Sequence, residues 1–361
     1  MIYVTKTYLP QLEDYVGYLK KIWSSHWLTN NGQLVRELER KLKRYLGVKH
    51  LFLVSNGTIA LQLAIKALGL KKEIITTPFS YVASTSSIVW EGCKPKFVDI
   101  DPQTLCLDVT KIEKAITPKT EAILAVHVYG NPCDIEKIKS IAKRYGLKVI
   151  YDAAHAFGVR YDDKSIMTYG DISTVSFHAT KIFHTAEGGA VMTNDDKLAH
   201  RLSYLRDFGH DGSERFFGLG LNGKNSEFHA ALGLCILPEV RGFITRRKKI
   251  CEMYSTLLKN SPLRMPSVNP RAKSNFAYYP VIFPSEKLLL KTRKHLNEHH
   301  IYPRRYFYPS LNTLSYVEPV AMKVSEDISR RVLCLPLYHD LRDHEVRNIV
   351  NLILEMMLVS E

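Results

Sequence analysis

A chain of 361 residues is long for one hydrophobic core and short for four, so two domains are expected. Hydrophobic residues make up 45% and charged residues 24%, proportions that exclude a disordered or fibrous chain. The formal net charge of +14 points to an anionic partner, and nucleic acid, a membrane surface and phosphorylated small molecules all remain open on charge alone.

The first residues, "MIYVTKTYLPQLEDYV", contain an early acid and no apolar signal core. No apolar run approaches the roughly 18 residues of a membrane span, so a cytoplasmic protein with no membrane partner is expected. From about residue 50 onward, short apolar runs alternate with segments of helical period. The runs are "HLFLV", "EIITT", "KFVDI", "EAILAVHV", "LKVIYD", "STVSF" and "AVMTN". Between them lie "TIALQLAIKALG", "YVASTSSIVWEG" and "DIEKIKSIAKRYG", each closed by a helix-stopping glycine. This alternation predicts an α/β domain with a large, mainly parallel sheet over residues 1–240. After Pro238 the pattern changes. "RGFITRRKKICEMYSTLLKN" reads as an amphipathic helix, "FAYYPVIF" and "VLCLPL" as strands, and "KLLLKTRKHLNEHH" as a helix, giving a smaller α+β domain over 241–361. The six cysteines, Cys93, Cys106, Cys133, Cys235, Cys251 and Cys334, are scattered without C-x-x-C pairs, which argues against a disulfide framework or a metal site.

Ligands of open α/β sheets sit outside the carboxyl ends of the strands, so the residues there are the first candidates. In "LFLVSNGTIALQL" a strand ends at Val54 and a helix begins near Gly57 and Thr58. This is either a plain capped turn or a phosphate site at the positive end of the helix dipole. In "LKVIYDAAHAFG" Asp152 closes a strand as a cap, a metal ligand or a partner for a buried cation, and His155 follows as a packing or functional imidazole. In "SFHATKIFHTAEGGA" Lys181 follows another strand end, where it is either a solvated lysine or an amine activated by its surroundings. Taken together, the helix start, the strand-end acid and the lysine match what pyridoxal 5′-phosphate requires. Its phosphate needs a helix N-terminus, its pyridine nitrogen a carboxylate and its aldehyde an amine. Ser176 could add a hydroxyl to the phosphate.

The stretches "SNGTIALQLA", "TTPFSYVAST", "KPKFVDIDPQTLCLD", "VHVYGNPCDI", "VIYDAAHAFG", "SFHATKIFHTAEGGAVMTN" and "GLNGKNSEFHAALG" resemble the DegT/DnrJ/EryC1/StrS family of nucleotide-sugar aminotransferases. The resemblance spans most of residues 27–240 and implies the type I aminotransferase fold with pyridoxal 5′-phosphate as cofactor. It implies that Gly57, Thr58 and Ser176 hold the phosphate and that Tyr81 stacks on the cofactor ring. Asp152 would face the pyridine nitrogen, His155 would cover the other ring face, and Lys181 would bind the aldehyde covalently. Asn222 would reach the phosphate of a partner subunit, which implies a homodimer with shared active sites. Two departures from the family pattern stand out: His155 stands where many members have Gln, and Ile182 and Phe183 follow the lysine where Asn-Leu is common. Family members that dehydrate the sugar have His in place of the lysine, so Lys181 argues against that activity.

Within the family, "FHATKIFHTAEGGA" and the weaker match "IYPRRYFYPSLNTL" resemble the enzymes that aminate C4 of a dTDP-4-keto-6-deoxy sugar with L-glutamate as donor. Thr29, Arg304, Arg305 and Tyr308 are the expected substrate contacts. Arg304 and Arg305 beside aromatic residues could grip a diphosphate and stack a base, or form a basic edge strand with core aromatics behind it. C3 amination, a UDP-sugar substrate, or a regulatory protein that keeps the cofactor without turnover are the alternatives. A nucleic-acid binder has no reading element in this sequence. His178 and His184 receive no role.

Overall fold

The computed structural model describes residues 1–358. All seven apolar runs form strands of one sheet, in the order His50–Val54, Gly189–Thr193, Ile172–Ser176, Lys148–Asp152, Thr120–Val126, Glu73–Thr76, Lys94–Phe97. Gly189–Thr193 runs antiparallel to both of its neighbours, and every other pair is parallel. Helices cover the sheet, and the strands Glu73–Thr76 and Gly189–Thr193 are buried along their whole length, as continuous apolar runs in a parallel sheet should be. The carboxyl ends of the six like-directed strands share one edge. There Gly189 stands opposite both Val54 and Ser176, and Asp152 stands opposite Val126 and Thr174.

The helix Ile135–Tyr145 shows why these segments fold locally. Asp134 caps it by accepting from the Lys137 N–H at 3.1 Å, Ile135, Ile138, Ile141 and Ala142 form its buried stripe, and Gly146 ends it at φ 66°, a left-handed geometry that glycine adopts without strain. Each buried isoleucine contributes about 1.5–3 kcal/mol. Gln33–Leu46 has no side-chain cap of its own. Glu227, buried and distant in sequence, accepts from the Leu34 and Val35 N–H groups at 2.8 and 2.9 Å instead.

A second core gathers Ile250, Tyr254, Leu289, Leu296, Leu333, Ile349 and Ile353 around the antiparallel pair Tyr279–Ile282 and Val332–Leu335. The helix Val240–Leu257 changes partners along its length: Val240 and Phe243 pack into the large core, Ile250 and Tyr254 into the small one. The chain's first strand, Ile2–Tyr3, pairs in parallel with Ile301–Tyr302, so the amino end packs with the carboxyl-terminal part of the chain.

The amphipathic helix expected after Pro238 is the second part of a longer run: Glu227–Leu257 is helical over 31 residues, and it is long and apolar enough to cross a membrane by length and composition. Several of its apolar residues are core instead. Ala230, Ala231, Leu234, Ile236 and Val240 are all buried.

Candidate active site

A cavity of about 510 Å³ opens at the carboxyl edge of the sheet, within the size range of small-molecule sites. Its wall includes Gly57, Thr58, Tyr81, Asp152, His155, Ser176, Lys181 and Arg304. Eight of the residues singled out in the sequence thus face one space, although they come from positions spread from 57 to 304.

The anion end is built from a strand–turn–helix. Asn56 caps the helix Gly57–Ala67 through its side chain, which accepts from the Ile59 N–H at 2.9 Å. Gly57 and Thr58 therefore line the cavity at the positive end of a buried helix. Ser176 closes in from the neighbouring strand. A Cβ at position 57 would lie 3.0 Å from the Ser176 Cβ and 3.3 Å from its Cα, so a side chain there would crowd the turn against the serine.

The carboxylate end is Asp152. It is buried, and it accepts from Ser84 Oγ at 2.7 Å and from the Ala154 N–H at 3.0 Å. Ser80 Oγ lies 2.8 Å from Ser84 Oγ, which extends the chain. Burial pushes the Asp152 pKa above the ordinary carboxylate range, while the Ser84 hydroxyl, the Ala154 N–H and the charge of Lys181 pull it back.

Lys181 is the amine. Among the described residues no carboxylate stands in ion-pair contact with it, and its Nζ donates to Tyr278 Oη at 3.4 Å. Burial lowers its pKa, opposed by Asp152 and the tyrosines Tyr306 and Tyr81, so the amine is shifted toward the neutral, nucleophilic form. His155 stacks on Phe307 with centroids 5.5 Å apart and planes at 10°. Burial, reinforced by the charge of Lys181, pushes its pKa well below the usual imidazole range. Its Nδ1 is buried without a hydrogen-bond partner among the described residues, which leaves a polar atom for a ligand to satisfy. An anion cradle, an acid, an amine and an imidazole face of this kind fit the phosphate, pyridine nitrogen, aldehyde and ring of pyridoxal phosphate.

The arginine pair divides. Arg304 lines the cavity and lies over the Tyr306 ring at 5.7 Å. Arg305 does not line it. Its guanidinium pairs with Glu286 at 2.6 Å, donates to the Arg330 carbonyl at 2.9 Å and covers the Tyr308 ring at 3.7 Å. Thr29, Tyr308 and Asn222 are exposed and stand outside the cavity wall.

Tyr306 and Phe307, two of the aromatic residues beside the arginine pair, line the cavity, whereas the wall residues Ser80, Ser84, Thr180 and Glu187 carry no signal in the sequence. The two unassigned histidines gain places. His178 Nδ1 accepts from the Thr180 N–H at 3.3 Å and lies 2.8 Å from its hydroxyl, which leaves Nε2 protonated, 3.7 Å from Glu187. His184 is buried. Its Nδ1 accepts from the Ala186 N–H at 3.3 Å, and its Nε2 donates to the Tyr8 carbonyl at 2.9 Å, tying the amino end to the loop that carries the lysine.

Residues 11–354 match the DegT/DnrJ/EryC1/StrS aminotransferase family. The chain belongs to that family. It is 43% identical over 362 residues to the dTDP-4-amino-4,6-dideoxy-D-glucose transaminase of Shigella dysenteriae, covering 98% of this chain and 99% of that one. It is 40% identical to the protein of the same name from Escherichia coli, covering 98% of each. Among solved structures, that of DesI in the presence of its TDP-sugar product superposes with a TM-score of 0.93 at 31% identity, covering 99% of this chain and 95% of the other. The match extends beyond the 27–240 stretch over which the sequence resembles the family. The whole cavity and nearly all of both cores lie inside it.

Proposed function

We propose that this chain is a cytoplasmic, pyridoxal 5′-phosphate-dependent aminotransferase. It moves an amino group from L-glutamate to C4 of a dTDP-4-keto-6-deoxy-D-glucose type sugar, for surface polysaccharide or O-antigen assembly. One observation carries the reading: Lys181, its amine without a carboxylate partner, and the buried carboxylate of Asp152 face one cavity that ends at a helix N-terminus. The names of the Shigella dysenteriae and Escherichia coli relatives support the nucleotide and the C4 position.

Gly57, Thr58 and Ser176 would hold the phosphate of the bound cofactor, and Asp152 would keep its pyridine nitrogen protonated. His155 and Tyr81 would flank its ring. The bound group supplies an electron sink for the C–H bond beside the donor's nitrogen. Lys181 Nζ takes the proton from the donor's Cα, and in the second half-reaction it delivers a proton to the sugar carbon that receives nitrogen. Arg304 takes the diphosphate, while Arg305, engaged with Glu286, holds the Tyr308 ring, which with Thr29 extends the substrate contacts outward. Asn222 is exposed and outside the cavity wall. Its role therefore falls to Asn222 of the partner subunit in a homodimer with shared sites.

The test is product mass analysis from a panel of dTDP- and UDP-keto sugars with L-glutamate. A product in which ketone oxygen is replaced by an amino group, formed from the dTDP-4-keto sugar by the parent and not by Lys181→Ala, is the expected result. Full turnover by Lys181→Ala would overturn the assignment, and amination of a UDP sugar or at C3 would move the substrate within the family.

A further inference from the structure

Tyr278 has no part in the roles assigned so far, yet it is the group that touches the lysine. It immediately precedes the strand Tyr279–Ile282, 97 positions from Lys181, and its hydroxyl meets the amine from behind the cavity wall, of which Lys181, His155 and Tyr306 are part. Its ring is held from three sides. His155 lies edge-on at 5.0 Å and 75°, Tyr306 edge-on at 5.6 Å and 84°, and Tyr129 tilted at 5.8 Å. Tyr129 is fixed in turn, because its hydroxyl donates to the Tyr306 carbonyl. A phenol clamped in this way keeps its hydroxyl in one place. Burial pushes its pKa well up, so that hydroxyl stays protonated and can both accept and donate at any pH the fold survives.

Lysine is the opposite kind of group, a compact charge on a four-carbon stem with wide rotamer freedom. A reacting amine must be freed and recaptured in each half-reaction, so a fixed partner that takes it while free shortens its search. We propose that Tyr278 is a positioning residue for Lys181, its hydroxyl receiving Nζ whenever the amine is not bonded to the cofactor and aiming it back along one path. The 3.4 Å separation is long for a hydrogen bond, and catalytic contacts of this kind tighten when substrate binds. The proposal rests on Lys181 being the reacting amine, and its test is read on the cofactor-free protein so that the two stand or fall separately.

Tyr278→Phe keeps the ring and removes the hydroxyl. In cofactor-free protein, acetic anhydride labelling of Lys181 is followed by peptide mass analysis across pH. The hydroxyl accepts from the ammonium, so its loss shifts the labelling midpoint to lower pH and makes Lys181 several-fold more reactive at neutral pH. In the loaded enzyme Tyr278→Phe lowers kcat by about three- to ten-fold, the worth of one hydrogen bond, with the KM for glutamate unchanged. A labelling curve for Tyr278→Phe that superimposes on the parent's overturns the proposal, as does a KM that rises while kcat holds.

Discussion

The serine behind the buried acid gives the sharpest test of the site's electrostatics. Asp152 accepts from two donors, Ser84 Oγ at 2.7 Å and the Ala154 N–H at 3.0 Å, and it sits where burial already disfavours its charge. Ser84→Ala removes the shorter of the two. A hydrogen bond to a charged group is worth about 1.5–3 kcal/mol, and nothing else within the site replaces it, because Ser80 Oγ reaches Ser84 and not the carboxylate. The carboxylate then ionises only at higher pH. An activity that needs Asp152 ionised should fall most at the acid end of its profile and least at the alkaline end. The measurement is kcat/KM against pH for parent and variant, with urea unfolding at both ends of the range to confirm folding. Profiles that superimpose, or a loss of equal size at every pH, would refute the claim that Ser84 acts through the charge of Asp152.

Asp152→Asn should abolish turnover, by about 10²–10³-fold or more, while leaving the cofactor-free protein at least as stable as the parent at pH 7. The sign follows from the raised pKa. The folded state holds this proton more tightly than the unfolded state, so the acid's contribution to stability is present below the ordinary carboxylate range and is lost as pH rises through the folded value. The neutral amide escapes that loss, and urea midpoints for the two proteins should converge below about pH 4 and separate above it. Arg304→Ala should raise the KM for the nucleotide sugar about tenfold, whereas Arg305→Ala should leave it within about twofold and lower stability by about 1–3 kcal/mol through the lost Glu286 and Arg330 contacts. Equal KM effects from the two arginines would refute the division of labour. Glu227→Ala should cost about 2–3 kcal/mol in urea unfolding by uncapping Gln33–Leu46, and Glu227→Gln, which keeps one acceptor, should cost less.

What the sequence disclosed follows the range of the forces involved. The strands were legible because burial on both faces leaves unbroken apolar runs, and Asp152 and Ser176 were legible because each closes such a run. Arg304 and Arg305 are adjacent, and no local pattern says which one turns inward. The choice is made by Glu286, 19 positions away, and by the carbonyl of Arg330. Ser84 reads as an ordinary helix residue until the fold brings Asp152 across 68 positions, and the Tyr278 contact spans 97. Of the helical run Glu227–Leu257, only the part after Val240, where basic residues alternate with apolar ones, shows an amphipathic pattern in the sequence.

The glycines behind the lysine explain how a parallel sheet comes to hold an amine at its edge. Gly189 opens the strand that lies antiparallel between His50–Val54 and Ile172–Ser176. A Cβ on it would fall 2.7 Å from the Asn56 carbonyl carbon and 2.8 Å from the Val175 oxygen, distances that backbone cannot relieve by a rotamer change. Without that side chain, the capped turn at Asn56–Gly57 presses against Ser176 and the anion end of the cavity closes up. The same pairing pins both ends of the 177–188 loop: Phe177 N–H donates to the Gly188 carbonyl at 2.8 Å, and Thr185 N–H to the Phe177 carbonyl at 2.9 Å. Lys181 rides on that closed loop, with its own N–H bonded to the His178 carbonyl at 2.9 Å. One side-chain-free position therefore sets both the closure of the anion end of the cavity and the reach of the amine. Gly189→Ala should damage cofactor affinity and lysine reactivity together, whereas Gly57→Ala should damage affinity alone.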